Sequence, residues 1–123
     1  MPTVDVRVAV VEDDVAMRKS IERLLQASGF ETTAFACGQD FLNSGAAATT
    51  DALVLDIHLE GISGLELHRR LRASGSRCPV IFITAHDDES TRKEALGLGC
   101  VAYLLKPFAA HELTEALQRG LVA

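Results

Sequence analysis

The residues that could do chemistry stand behind apolar runs. Glu12, Asp13 and Asp14 follow the run that ends at Val11, Asp56 ends Ala52-Leu-Val-Leu, Thr84 follows Val80 to Ile83, and Lys106 follows Val101 to Leu105. Any one of these alone is ordinarily a turn residue or a solvated side chain, and Asp14 by itself reads as the N-cap of the next helix. That reading does not explain their joint placement behind four separate runs. Brought together, two or three carboxylates repel and need a cation, a lysine or a raised pKa. Lys106 supplies one positive charge, but several carboxylates with open carbonyls suit a hard divalent ion such as Mg²⁺ better. A metal among acids invites a phosphoryl group. Metal and lysine can neutralise its oxygens, a threonine can donate to another, and a carboxylate can attack phosphorus to form an acyl phosphate.

Whether those groups meet depends on the elements that carry them. Short β-branched runs alternate with longer stretches of helical period, the pattern of βαβ units. Strands are expected at Val6 to Val11, Glu31 to Ala36, Ala52 to Asp56, Val80 to Ile83 and Val101 to Leu105. The third is apolar on both faces, as when helices cover a parallel sheet from each side. Helices are expected after Asp14 with Met17, Ile21, Leu24 and Leu25 on one face, from Gln39 to about Gly45, from a Ser63 cap to about Ala73, around Ala95-Leu96, and from Glu112 to Leu121. Ser63 with Glu66 three residues on has the capping-box spacing, and Ala46 to Asp51 reads as a small-residue loop. The fold class is therefore α/β: a doubly wound five-stranded parallel sheet flanked by five helices. Strand order 2-1-3-4-5 is common for five strands, sets the first beside the third, and gathers the strand-end polar groups in one crevice.

Composition narrows the class further. The 123 residues fit one domain, 48% hydrophobic and 24% charged, a globular balance. A net charge of −5 argues against direct nucleic-acid binding, and Arg69, Arg70 and Arg72 read as a solvated helix face. No apolar run approaches the ~20 residues of a membrane span, and the first residues lack a secretory signal, so a cytoplasmic location is expected. Cys37, Cys78 and Cys100 share no close pair and read as small buried apolar residues.

With Glu12-Asp13, Asp56, Gly64, Thr84-Ala85 and Lys106-Pro107-Phe108 in these places, the chain resembles response-regulator receiver domains of two-component signalling over essentially its whole length. The resemblance implies a single receiver domain over residues 1–123, with no output domain in this stretch. It implies that Asp56 is the phosphoacceptor, that Asp13 binds Mg²⁺ (or Mn²⁺) directly and Glu12 through water, and that His58 offers its backbone carbonyl to the metal. Lys106 and Thr84 would bind the transferred group, with Pro107 following a cis peptide bond. Thr84 and Tyr103 would form a switch, while His58 and His86 occupy positions that tune how fast the phosphoryl group is lost. Met17-Arg18 also match family positions. The chain departs from the family in Leu59-Glu60, where Met-Pro is usual, and in Glu12, where Asp is commoner.

The resemblance further implies a sensor histidine kinase or histidine phosphotransfer protein as donor, and a downstream effector or output domain. Its switching face, helix four, strand five and helix five, would also serve a phosphorylation-dependent homodimer. Such a domain is regulatory, catalysing only its own phosphoryl transfer and dephosphorylation. Rival readings are a receiver fragment of a DNA-binding regulator, a docking receiver that has lost phosphorylation, an aspartyl-phosphate phosphatase and a flavodoxin-like nucleotide carrier. The phosphatases usually carry a second Asp where His58 stands. Glu12-Asp13-Asp14 would repel the phosphate that a flavodoxin-like loop binds.

Overall fold

In a computed structural model that describes residues 6–122, five short runs form the strands. They are β1 (Arg7–Val11), β2 (Glu31–Phe35), β3 (Ala52–Asp56), β4 (Val80–Thr84) and β5 (Ala102–Leu105). Between and after them run α1 (Val15–Ala27), α2 (Gly38–Ser44), α3 (Gly64–Ala73), α4 (Glu89–Gly97) and α5 (Ala110–Val122). All strand pairs are parallel, in the order β2-β1-β3-β4-β5. The fold is thus the doubly wound sheet expected from the sequence.

Alternation along the strands builds two cores. Val8, Val10, Val54, Ile81 and Ile83 pack with Ile21 and Leu25 of α1 and with Leu113 and Leu117 of α5. Ala9, Val11, Leu53, Leu55 and Phe82 point the other way, onto Phe41, Leu67, Leu71 and Ala95. The central strands β3 and β4 are buried along their full length, which only helices on both faces permit. Parallel pairing then brings the carboxyl ends of the strands to one edge, with the reversal of winding between β1 and β3.

Helix starts follow cap chemistry. Asp14 accepts from the Ala16 amide at 3.2 Å, and Ser63 from the Glu66 amide at 3.1 Å. Glu66 does not complete a capping box. Its carboxylate pairs with Arg69 and Arg70, both at 3.2 Å, and so the basic cluster is partly neutralised rather than simply solvated. Arg69 also reaches Glu94 of α4.

Several boundaries differ from expectation. β1 begins at Arg7, β2 ends at Phe35, β4 includes Thr84 and β5 begins at Ala102. The Ala46 to Asp51 stretch contains a 3₁₀ turn, Ala46–Ala48, whose small side chains allow tight winding. Gly97 lies inside α4, and the left-handed residue beyond its end is Gly99. α5 starts two residues before Glu112, whose carboxylate folds back to the Ala109 amide at 2.7 Å. The three cysteines are free thiols and half-buried rather than buried. Among the described residues no helix is long and apolar enough to cross a membrane. Residues 1–5, on which the reading of no secretory signal rests, lie outside the described residues.

Candidate functional site

Glu12 leaves β1 directly beneath the sheet edge and is fully buried. Its amide donates to the Phe35 carbonyl at 3.0 Å, and its carbonyl accepts from Arg18 Nη1 at 2.9 Å. Its carboxylate accepts from Lys106 Nζ at 2.6 Å and from the Asp14 amide at 3.1 Å. Asp56, the last residue of β3, is 5% exposed. One of its oxygens accepts from the His58 amide at 3.0 Å and the other from Lys106 Nζ at 3.2 Å. Lys106 follows β5, so its aliphatic arm passes over β4 to reach both acids. The peptide bond from Lys106 to Pro107 is cis.

Asp13, beside Glu12, is exposed. Glu12, Asp13 and Asp56 each bring a carboxylate oxygen to within 4.8 Å of the others. An all-oxygen donor set with an accessible carboxylate fits a hard divalent cation such as Mg²⁺. Of these three, Asp13 is the one whose carboxylate is left open among the described residues, since both oxygens of Glu12 and both of Asp56 already have partners.

Charge at the site follows from burial and proximity. Burial pushes Glu12 up to about 7 and the Asp56 carboxylate adds to this, against the opposing pull of Lys106 and the Asp14 amide. Burial works to discharge Lys106, but the two carboxylates outweigh it and hold its pKa above the ordinary lysine value. The short Lys106–Glu12 distance is that of a charge-assisted bond, so Lys106 stays an ammonium.

Thr84 is at the same edge and fully buried, but its hydroxyl faces the following loop. There it donates to the His86 carbonyl at 3.2 Å and accepts from the His86 amide at 3.1 Å. The half-buried Tyr103 brings its hydroxyl to that same carbonyl at 3.5 Å. His58 and His86 are exposed at the mouth, their rings meeting edge to face with centroids 5.5 Å apart. Gly64 opens α3 against the back of the site: a Cβ there would stand 2.3 Å from the Asp56 carbonyl oxygen.

The sequence-predicted residues Glu12, Asp13, Asp56 and Lys106 are thus brought together. Thr84 sits beside them with its hydroxyl committed to the loop, and Tyr103 joins it there. Sequence reading missed the bond from Arg18 and the grip of the Asp14 amide. A signal was available, since Arg18 lies four residues from the Asp14 cap and shares its face of α1.

A phosphorylation-accepting signal receiver is the class that this fold and this pocket define. The family model of the response regulator receiver domain matches residues 8–118, and the chain belongs to that family. Nodulation protein W of Bradyrhizobium diazoefficiens is 40% identical over 110 residues, covering 89% of this chain and 48% of that protein. The transcriptional regulatory protein FixJ of the same organism is 36% identical, covering 91% of this chain and 55% of that protein. The chain thus spans about half the length of these curated relatives. The solved structure FixJ-N superposes with a TM-score of 0.87 at 31% identity, covering 98% of this chain and 96% of that one.

Proposed function

We propose that Asp56 is the phosphoacceptor of this receiver, with Mg²⁺ or Mn²⁺ held by Asp13, Asp56 and the His58 carbonyl, and with Glu12 acting through water. The observation that carries this reading is the setting of Asp56: buried, bonded by Lys106 and the His58 amide, and bordered by the open carboxylate of Asp13. A bound divalent ion supplies neutralisation of the phosphoryl oxygens. The chain's own groups do the rest. An Asp56 oxygen forms a bond to phosphorus as the phosphorus–nitrogen bond of a donor phosphohistidine breaks and the imidazole leaves. Lys106, already charged, faces the new oxygens. Thr84 turns from the His86 carbonyl to donate to the product, which also takes from that carbonyl its partner in β4.

Tyr103, bonded to the same carbonyl, then reorients, and the face formed by α4, β5 and α5 moves between two populations. Leu96 and Leu105 are 55% and 42% exposed there, an apolar patch suited to an output domain or a homodimer. The donor is a sensor histidine kinase or histidine phosphotransfer protein. The receiver belongs to a longer regulator, consistent with relatives about twice its length. It also hydrolyses its own acyl phosphate, and His58 and His86 at the mouth set how readily water arrives. Incubation with a small phosphodonor across a Mg²⁺ series, read by intact mass, is expected to add one phosphoryl group in proportion to metal occupancy. No addition to wild type, or addition that ignores Mg²⁺, overturns the reading.

A further inference from the structure

Glu12 and Asp13 are neighbours held in opposite ways. The amide, the carbonyl and both carboxylate oxygens of Glu12 all have partners, contributed by Phe35, Arg18, Lys106 and Asp14. The Asp13 carboxylate accepts no hydrogen bond among the described residues and is exposed. What aims Asp13 is therefore its backbone. The carbonyl of Glu12 and the N–H of Asp13 belong to one planar peptide unit, and that carbonyl is the atom Arg18 Nη1 grips at 2.9 Å.

Arg18 is itself half-buried and fixed in the first turns of α1, where its amide bonds the Asp14 carbonyl at 2.9 Å. The groups that shift the Glu12 carboxyl are its burial, Lys106, the Asp14 amide and Asp56, with Arg18 not among them. The contact it makes with the acidic pair is to their shared peptide.

We infer that Arg18 is a positioning residue of the metal site: by clamping the Glu12–Asp13 peptide to α1 it presets the Asp13 carboxylate for a divalent cation. The inference rests on the acidic pocket being a metal site. Removing an outer partner of a metal ligand commonly weakens binding by 10–100-fold. Because Arg18 acts one covalent step away from the ligand, a loss of about tenfold is expected.

The test is a Mg²⁺ titration of wild type, Arg18→Met and Arg18→Lys, followed through backbone amide resonances, with thermal unfolding of each metal-free protein. Wild type is expected to saturate. Arg18→Met, which keeps the aliphatic stem, should bind about tenfold more weakly, with the Asp13 amide displaced before metal is added and little change in Tm. Arg18→Lys, still able to donate to the carbonyl, should recover most of the affinity. Arg18→Gln, too short to reach that carbonyl, is a second variant with the same expected loss should the methionine variant not fold. Unchanged Mg²⁺ affinity in the Met or Gln variant overturns the inference, as does a loss that follows Tm alone with the metal-free Asp13 amide unmoved. Failure of wild type to bind Mg²⁺ instead overturns the reading of the pocket itself, and is seen without any variant.

Discussion

His68 shows how strongly one side chain can answer to its surroundings. It lies in α3 at 1% exposure, edge to face with Phe82 at 5.5 Å between centroids. Its Nε2 accepts from Arg72 Nε at 3.1 Å, while Nδ1 has no partner among the described residues. Burial, with Arg72 and Arg69 nearby, pushes its pKa down from 6.5 to about 4. A histidine with a depressed folded-state pKa is stabilising where it is neutral. That contribution is complete above 6.5, the unfolded value, and is lost as pH falls from there through about 4. The shift corresponds to about 3 kcal/mol. His68→Leu removes the titration, so the stability of wild type minus that of the variant should fall by about this amount between pH 7 and pH 4 in urea unfolding. A difference that stays flat with pH contradicts the assignment. Nothing in the sequence announced this residue. His68 stands within a helical period between leucines and arginines, and whether the ring faces core or solvent depends on how α3 rotates onto β4.

At the scale of elements, the junction of β3 and α3 places Asp56, the proposed acceptor. Asp56 ends the strand, and the chain returns so closely that the Gly64 amide donates to the Ile57 carbonyl at 3.0 Å. Gly64→Ala would set a methyl group against the Asp56 carbonyl, so strand or helix must shift. A cost of about 1–3 kcal/mol is expected by chemical denaturation, with reduced phosphorylation of the folded protein. Full stability with unaltered phosphorylation contradicts this account. The elements themselves were readable because period and punctuation agreed: β-branched runs buried on both faces, Ser63 and Asp14 as caps, glycine after the helices. What was not readable was side-chain direction. Glu66 had capping-box spacing yet turned to Arg69 and Arg70, which offer charge where the cap offers only a backbone amide. Thr84 was placed correctly at the edge, but its bond to the His86 backbone depends on a loop conformation that spacing does not encode.

The whole molecule is a sheet that delivers strand-end side chains to one place. That much followed from the order of strands, since a parallel sheet wound on both faces leaves the polar ends of β1, β3, β4 and β5 no other edge. The meeting of Lys106 with both Glu12 and Asp56 follows from that order and from the lysine's reach. The exposure of Leu96 and Leu105 was not legible in the sequence, because it depends on how α4 and β5 sit against the rest of the sheet. In the proposed function the phosphoryl group goes to Asp56 and not to Glu12 or Asp13 beside it. Reduction of the phosphorylated protein with borohydride, which converts an acyl phosphate to the corresponding alcohol, followed by peptide mass mapping, decides this directly. A reduced residue at position 56 is the expected result. Reduction at Glu12, at Asp13 or at any other carboxylate, with Asp56 unmodified, would contradict it.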